Sequence, residues 1–242
     1  MAGLREMLGA ERAVGTFVKL PSTAVIDLAA EAADFVVIDR EHAPLSESDA
    51  LALVRHASAL GLPAVVRLPA LDAGQVNRLL EAGAAGIQLS TVRRPDEVAA
   101  LRAACEYSPR GARSISLAHP VARFGAVGLR DHVQASAGAA LVVVQLETVE
   151  TDATYDRVLA AGPDVAFIGT ADLLVSAGFD EDLAAERYDA ISAAAATHGV
   201  TLGAFGRADD PAVRYLLLGS DLAMLRDGMT RALTPTPMQG AH

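Results

Sequence analysis

The chain alternates short apolar runs with longer amphipathic segments along most of its length. The runs are rich in β-branched residues and are bounded by turn-forming residues, a pattern typical of buried parallel strands. The runs predicted to be strands are GTFVKL (15–20), DFVVID (34–39), LPAVVRLP (62–69), GIQLST (86–91), LVVVQLE (141–147), DVAFIGTADL (164–173), TLGAFG (201–206) and SDLAMLRDG (220–228).

The segments between the runs carry signals of helix starts and ends. Ser22 is a candidate N-cap, and a helix is expected from about Glu47 to Leu60. A third helix should stop at Gly83, because glycine is favoured just after the last helical turn. Pro95 opens a fourth helix, since proline is favoured in the first turn. Strand and helix therefore alternate along the chain.

This alternation over 242 residues predicts an α/β fold, a (β/α)8 TIM barrel formed as a single domain by residues 1–242. The barrel core is expected at about 14–230, followed by a proline-rich C-terminal tail at 231–242. A doubly wound open sheet is the competing fold. That fold normally has a glycine-rich fingerprint after its first strand, whereas the first strand here ends in KLPST.

The regular spacing breaks at residues 106–137, which show no sustained hydrophobic period. A connection of this length inside a compact domain is usually functional. We therefore expect this segment to serve the site rather than only to join two elements.

Composition indicates which classes of partner and which cellular compartment to expect. Acidic residues outnumber basic ones by 30 to 20, and the formal charge of −10 argues against nucleic acid as a partner. Cys105 is the single cysteine and cannot form an intrachain disulfide. No run resembles a signal peptide or reaches the ~18 apolar residues of a membrane span. We therefore expect a cytoplasmic protein without membrane association.

Polar residues gather where the predicted strands end, and catalytic groups of a barrel collect at those carboxyl ends. The polar residues at these ends are Lys19, Asp39, Glu41, His42, Arg67, Ser90, Glu147, Asp172, Arg226 and Asp227. Polar residues are scarce within the strands themselves. This concentration predicts an active site at one end of the barrel.

Two of these residues, Glu147 and Asp172, indicate a metal site. The two-residue period of a strand puts Val143, Gln145 and Glu147 on one face. A strand–helix–strand unit returns parallel, so Glu147 and Asp172 reach the same rim if their strands are neighbours. Two carboxylates there repel each other unless a cation, a shared proton or an arginine lies between them. A hard divalent ion satisfies both, while two separately solvated acids are the alternative.

Three further residues have both a chemical and a structural interpretation. Arg67 ends an apolar run and could stabilise an oxyanion or enolate, or form a structural ion pair with a barrel acid. His42 follows Asp39 and Glu41 and could act as a general base, or be a solvated loop residue. Gln145 could hydrogen-bond a substrate oxygen, or fill a polar layer of the barrel.

Six segments together resemble the HpcH/HpaI aldolase family over about residues 14–230. The segments are VVIDREHAP (36–44), AVVRLP (64–69), LLEAGAAGIQ (79–88), YSPRGARS (107–114), VVQLET (143–148) and FIGTADL (167–173). Members of this family are metal-dependent (class II) pyruvate aldolases of the phosphoenolpyruvate/pyruvate barrel superfamily. The resemblance thus implies the same barrel that the alternation predicts.

The resemblance also implies a role for each matched residue. Glu147 and Asp172 match the two metal ligands, which in the family hold Mg²⁺, Mn²⁺ or Co²⁺. Arg67 matches the arginine that contacts the keto oxygen of a pyruvyl group and stabilises its enolate. His42 matches the base that acts through water on the aldol hydroxyl.

Other matched positions are implied to support these groups. Asp39 and Glu41 take supporting positions, and Glu81 falls where family members place an acid that partners the histidine. The positions expected to contact substrate are Arg67, Ser90, Gln145, Gly169, Thr170, Ala171 and Asp172. At Ala171 and Asp172 the contact is expected through the backbone N–H groups around them.

The implied reaction is cleavage of a 4-hydroxy-2-oxo acid, or the reverse addition of pyruvate enolate to an aldehyde. The implied assembly is a homo-oligomer, a hexamer or a trimer or dimer, in which partners exchange a terminal helix. Ser90, Ser114 and Thr170 stand where family members commonly have Pro, Gly and Pro. These departures affect the acceptor, and they leave open a related enolate enzyme, such as a decarboxylase or a biosynthetic C–C bond-forming lyase.

Two other functions remain as alternatives. Lys19, the single lysine of the chain, could form a Schiff base in a class I aldolase, since it ends the first strand. A non-catalytic binding barrel is the second alternative. It would be expected to have lost a metal carboxylate or the arginine, whereas Glu147, Asp172 and Arg67 are all present.

Overall fold

A computed structural model describes residues 3–151 and 153–234 and shows parallel strands closed into a barrel. The strands are β1 (Ala13–Val18), β2 (Phe35–Asp39), β3 (Ala64–Leu68), β4 (Gly86–Leu89), β5 (Leu141–Leu146), β6 (Val165–Ile168), β7 (Thr201–Phe205) and β8 (Val213–Ser220). Each strand pairs with its neighbours in the chain, and β8 closes the ring on β1. The predicted α/β barrel is confirmed, and the open sheet is wrong because the sheet has no free edge.

Most strands are followed by helices on the outside of the barrel, while α1 precedes β1 and β7 leads directly to β8. They are α1 (Leu4–Ala10), α2 (Thr23–Ala30), α3 (Glu47–Leu60), α4 (Ala73–Ala82), α5 (Pro95–Cys105), α6 (Leu129–Ser136), α7 (Tyr155–Leu159), α8 (Thr170–Ser176), α9 (Glu181–His198) and α10 (Asp221–Leu233). Helix α3 has its predicted bounds because Ser46 caps its start and Gly61 takes a left-handed conformation after its end. Ser22 precedes α2, but its side chain makes no capping hydrogen bond.

Alternation along the strands sorts the apolar side chains into two cores. Phe35, Val65 and Val143 belong to a cluster inside the barrel, with Phe167 and Tyr215. Their neighbours along the strands pack outward against the helices, as Val142, Val144 and Leu146 do. The predicted division of the fifth strand into two faces is therefore confirmed.

Helix α1 closes the amino-terminal end of the barrel. Leu4 and Leu8 are buried and pack into the interior cluster. Arg5 fixes the helix there, because its Nη1 and Nη2 atoms donate to Asp164 Oδ1 and Oδ2 at 2.6 and 2.9 Å. Asp164 immediately precedes β6, so the helix is tied to the start of a strand. The opposite, carboxyl end is left for polar groups.

The eighth strand lies earlier in the chain than predicted. It is VRYLLLGS, whereas residues 221–228 of the predicted strand are helical and belong to α10. The boundary falls at Ser220, whose side chain accepts a hydrogen bond from the Ala223 N–H and so starts a helix. Arg226 and Asp227 therefore do not end a strand; both are exposed, and they pair with each other at 2.8 Å.

The long connection at residues 106–137 is not irregular throughout. It contains a 3-10 helix at Pro120–Gly125 and then α6. His119 starts the 3-10 helix, because its Nδ1 accepts from the Ala122 N–H at 3.3 Å.

The end of the chain also differs from prediction, since α10 continues to Leu233. Residues 235–242 of the predicted tail lie outside the described residues.

Within the described residues, none of the helices combines the length and the apolar character needed to cross a bilayer.

Candidate active site

The carboxyl end of the barrel is where the inward-facing side chains change from apolar to polar. The positions that continue the inward faces beyond the apolar cluster carry Lys19, Asp39, Arg67, Gln88 and Gln145. Every second residue of a strand points to the same face, so these side chains enter one space from five strands. Hydrogen bonds join Lys19 and Arg67 to Asp39, and Gln88 to Gln145, and these bonds define the site.

Asp39 and Arg67 form a buried ion pair at its centre. Arg67 Nε and Nη2 donate to Asp39 Oδ1 and Oδ2 at 3.0 and 2.7 Å. Lys19 Nζ donates to Oδ2 of the same carboxylate at 2.5 Å. Burial by itself would raise the pKa of Asp39, but the hydrogen bonds from Arg67 and Lys19 outweigh it and hold the pKa well below its usual range. Asp39 is therefore a fixed anion.

Glu41 and His42 continue from this pair into the loop after β2. Arg67 Nη1 lies 3.2 Å from Glu41 Oε2, and Ser90 Oγ donates to that oxygen at 2.6 Å. His42 Nε2 lies 3.6 Å from the same oxygen, and its side chain is 57% exposed. The backbone N–H groups of Glu41 and His42 donate to Asp39 Oδ1 at 3.0 and 3.1 Å. Asp39 thus fixes the loop, and Ser90, which is predicted to contact substrate, donates its hydroxyl hydrogen to Glu41.

Glu147 is a buried carboxylate held on both oxygens. Gln145 Nε2 donates to Oε2, and Thr91 Oγ1 donates to Oε1 at 2.6 Å. Gln145 is itself fixed, because its Oε1 accepts from Gln88 Nε2 at 2.6 Å. Burial raises the pKa of Glu147; the hydrogen bonds from Gln145 and Thr91 oppose this, and the nearby charges of Glu41 and Asp172 raise it further.

Gly169 lets the end of β6 lie directly against Glu147. A Cβ atom at this position would be 2.7 Å from Glu147 Oε2 and 2.8 Å from Glu147 Cβ, so only glycine fits. Thr170 then begins α8, and Asp172 lies in its first turn. Because β5 and β6 are paired in parallel, Glu147 and Asp172 lie at one rim, close enough for Asp172 to raise the pKa of Glu147.

A cavity of about 250 Å³ opens beside these groups; Glu147, Glu41 and His42 are not among the residues on its wall. The polar side chains on its wall are Lys19, Arg67, Gln145, Thr170, Asp172 and Ser220. Phe17 and Phe167 form an apolar part of the wall, and the Arg67 guanidinium carbon lies 4.5 Å from the centre of the Phe17 ring. Gly169 and Ala171 also line it, which brings the predicted substrate-contacting stretch 169–172 to the cavity.

Glu81 is the predicted site residue that the structure does not bring to the others. It lies in the last turn of α4, which runs back from the end of β3 to the start of β4. Ten helical residues span about 15 Å, so Glu81 is near the opposite end of the barrel from His42. Its charge acts on Arg113 and His132 instead, and its Oε1 atom is buried without a hydrogen-bond partner among the described residues.

Sequence reasoning missed Gln88 and Thr91. Gln88 carried a detectable signal, since it is a polar residue on the same face of the fourth strand as Ser90. Thr91 carried none, because its contact with Glu147 depends on a left-handed backbone, with φ of 52°, that a β-branched residue rarely adopts.

Residues 13–219 match the sequence model of the HpcH/HpaI aldolase/citrate lyase family. The chain belongs to this family. The resemblance carried by the six sequence segments is thereby confirmed, and membership makes this HpcH/HpaI chain a carbon–carbon lyase.

The HpcH/HpaI chain is similar to named aldolases. It is 32% identical over 171 residues to a hydroxypyruvate/pyruvate aldolase of Sagittula stellata, covering 70% of this chain and 67% of that protein. It is 33% identical over 193 residues to a 4-hydroxy-2-oxovalerate aldolase of Rhodococcus jostii, covering 77% and 74%. The crystal structure of an HpcH/HpaI aldolase from Desulfitobacterium hafniense aligns with a TM-score of 0.87 and 26% identity over 100% of both chains.

The charges of this HpcH/HpaI site suit a divalent cation. Among its ionisable side chains are the cations Lys19 and Arg67 and the carboxylates of Asp39, Glu41, Glu147 and Asp172. Two cations and four carboxylates leave a formal excess of two negative charges, and burial withholds solvent from Glu147. Carboxylate oxygens are the ligands that Mg²⁺ and Mn²⁺ prefer.

The number of protein ligands for such an ion is small. In residues 3–151 and 153–234, no group of three or more His, Cys, Asp or Glu side chains is arranged to hold a metal. Glu147 and Asp172 would therefore bind an ion together with substrate and water oxygens, as Mg²⁺ commonly does when it keeps several waters.

Proposed function

We propose that the chain is a metal-dependent (class II) pyruvate aldolase that cleaves or forms 4-hydroxy-2-oxo acids. The observation that carries this proposal is that Arg67, Gln145 and Asp172 line one cavity, with Glu147 bonded to Gln145. A 2-oxo acid carries a carboxylate and a keto oxygen side by side, which a cation and an arginine can bind together. The two aldolase relatives are named for substrates of this class, which supports the same assignment.

Each side chain has a task in this reaction. A divalent ion (Mg²⁺, Mn²⁺ or Co²⁺) held by Glu147 and Asp172 supplies Lewis acidity at the substrate oxygens. Arg67 is fixed by Asp39 and Glu41, so its charge can stabilise the negative oxygen of an enolate without reorganising. Backbone N–H groups near Ala171 bind the substrate carboxylate at the start of α8.

In the cleavage direction, His42 takes the proton of the C4 hydroxyl through a water molecule. The C3–C4 bond breaks, its electrons form the enolate of pyruvate, and C4 leaves as an aldehyde. A proton then returns to C3 and gives pyruvate. The His42 side chain lies beside Glu41 and is 57% exposed, so water can reach it.

The test is a screen of pyruvate with varied aldehydes in the presence of Mg²⁺, Mn²⁺ or Co²⁺. Glu147→Gln and Asp172→Asn should each lower turnover by orders of magnitude, because a site with two protein ligands can hardly spare one. Chelation should abolish the native activity. Normal turnover after chelation would contradict the proposal.

The same screen separates the alternative reactions. A decarboxylase would release CO₂ from a 2-oxo dicarboxylic acid without forming an aldehyde. A class I aldolase would be trapped on Lys19 by borohydride and substrate. We expect no such trapping, because Lys19 Nζ is bonded to Asp39 at 2.5 Å whereas a Schiff base requires a free, neutral amine.

A further inference from the structure

Thr91 follows the end of β4 in a backbone conformation that its side chain disfavours. Its φ is 52°, in the left-handed region, where β-branched residues are genuine outliers. The backbone is fixed on both sides of it. The Ser90 N–H donates to the Leu68 carbonyl at 3.1 Å, and the Val92 N–H donates to the Gln145 carbonyl at 3.0 Å. Residues held by their surroundings in such strained backbone conformations cluster at functional sites.

The strained conformation delivers the Thr91 hydroxyl to one oxygen of Glu147. Thr91 Oγ1 donates to Oε1 at 2.6 Å, from the β4 side of the carboxylate. The other oxygen, Oε2, lies on the β6 side, because it occupies the space that a Cβ atom at Gly169, just after β6, would fill. Gly169 leads directly into the first turn of α8, where Asp172 lies. The two oxygens of Glu147 are therefore distinguished by their surroundings.

We propose that Thr91 is a positioning residue that holds Oε1 of Glu147 and so keeps Oε2 at the turn from β6 into α8, where Glu147 and Asp172 would hold a divalent ion. This inference rests on the proposed function, since it assigns how the carboxylate of that site is oriented. In this role Thr91 acts through Glu147 and would contact neither the ion nor the substrate. Without its hydroxyl, rotation about the last torsion of Glu147 is opposed by Gln145 alone. Partners of this kind, one step removed from a metal, typically change metal affinity by about 10- to 100-fold when removed.

The test compares three substitutions at one position by titrating Mn²⁺, without substrate, and following the signal of the free ion by electron paramagnetic resonance. Thr91→Val keeps the shape and removes the hydroxyl, so we expect Mn²⁺ to bind about 10-fold more weakly or worse. Thr91→Ser keeps the hydroxyl and should restore native affinity. Thr91→Gly removes the hydroxyl together with the backbone strain, and it should bind Mn²⁺ as weakly as Thr91→Val while losing no thermal stability.

Two controls keep the outcomes distinct. Thr197→Val removes a hydroxyl from an exposed position on α9 and should leave Mn²⁺ affinity unchanged. Glu147→Gln should abolish tight binding. If Glu147→Gln abolishes binding while Thr91→Val binds as the native chain does, the role of Thr91 is wrong and the proposed function stands. If the native chain binds no divalent ion, both are wrong. Weak binding by Thr91→Ser equal to that of Thr91→Val would also overturn the role, because the hydroxyl would then not be responsible.

Discussion

Asp39 and Arg67 are register partners on β2 and β3, and their side chains meet again in two parallel hydrogen bonds of 3.0 and 2.7 Å inside the barrel. The sequence allowed two interpretations of Arg67, as a structural ion pair or as a stabiliser of an enolate. The structure shows that the two are compatible, since Arg67 is paired and also lines the cavity. The pair fixes a positive charge at a wall that substrate can reach.

Replacing Arg67 with lysine tests that fixed charge. Lysine keeps the charge but cannot make the two parallel hydrogen bonds, so kcat/KM for aldol cleavage should fall roughly 100- to 1000-fold. Mn²⁺ affinity should stay close to native, because Glu147 and Asp172 are unchanged. Arg226→Lys, at an exposed position on α10, is the matched control. Native kcat/KM in Arg67→Lys would remove the arginine from the mechanism.

Asp39 should make the fold sensitive to acid. Its folded-state pKa is lowered, so its charge stabilises the fold fully above the unfolded pKa of about 3.9. That stability is lost as pH falls below this value toward the lower folded-state pKa. Asp39→Asn removes the carboxylate that accepts two hydrogen bonds from buried Arg67 and leaves it Glu41 alone as an anionic partner. This should cost about 3 kcal/mol at pH 7, the lower end for a broken buried pair, and flatten the acid dependence.

Urea unfolding from about pH 7 to about pH 3 measures both effects of Asp39. Asp209→Asn is the control, because this aspartate is 79% exposed on its side chain and should change neither the stability nor its pH dependence. An Asp39→Asn protein with native stability at neutral pH would show that the buried pair does not stabilise the fold.

Gly169→Ala should damage the site and spare the barrel. The added methyl group would lie 2.7 Å from Glu147 Oε2 and 2.8 Å from Glu147 Cβ, so the Glu147 side chain must shift from its present position. We expect turnover and Mn²⁺ affinity to fall together, by about 10-fold or more, with unchanged circular dichroism. Gly228→Ala on α10 is the matched control, since nothing lies within 4 Å of a Cβ atom there. Equal activity in both variants would mean that the contact with Glu147 has no consequence.

His42→Gln should lower turnover without lowering stability. A general base typically contributes about 10²–10⁴-fold to the rate, while a side chain that is 57% exposed contributes little packing. His56→Gln on α3 is the control for a surface histidine. We expect a large fall in kcat for His42→Gln, no change for His56→Gln, and the same melting temperature for both.

Helix α10 supports the predicted homo-oligomer. Asp221 is its single buried residue among those described, and its exposed apolar side chains are Leu222, Met224, Leu225, Met229 and Leu233. An exposed apolar stripe of this kind usually marks an interface. We expect light scattering to give a multiple of the monomer mass, and Leu225→Glu with Met229→Glu to reduce it. A native chain that is monomeric at all concentrations would contradict the expectation.

The positions of the strands were largely predictable, because a buried parallel strand leaves a run of β-branched residues between turn signals. The eighth strand was the exception. Apolar runs of similar length lie on both sides of Gly219, Ser220 and Asp221, at 215–218 and 222–225, so hydrophobicity alone does not show which run is the strand and which the helix. The decisive feature, the cap at Ser220, is a local hydrogen bond that the apolar pattern does not reveal.

The site was predictable where its residues lie at strand ends, and less so elsewhere. Asp39, Arg67, Glu147 and Asp172 come together because parallel strands end at one rim. Glu81 matched a motif position but lies on a helix that carries it to the other end of the barrel. Such a placement depends on helix direction, which spacing in the sequence does not specify.

The N-terminal helix α1 determines from which end of the barrel the reactants enter, because it fills the other end. Leu4 and Leu8 pack into the interior cluster at the amino-terminal end of the barrel, whereas Lys19, Arg67 and Asp172 line the cavity at the carboxyl end. In the proposed reaction, the ketoacid sits deeper, against Arg67, and the aldehyde lies nearer the opening. With the amino-terminal end filled by apolar side chains, both reactants would enter from the carboxyl end. We therefore expect the ketoacid to bind before the aldehyde and to leave after it.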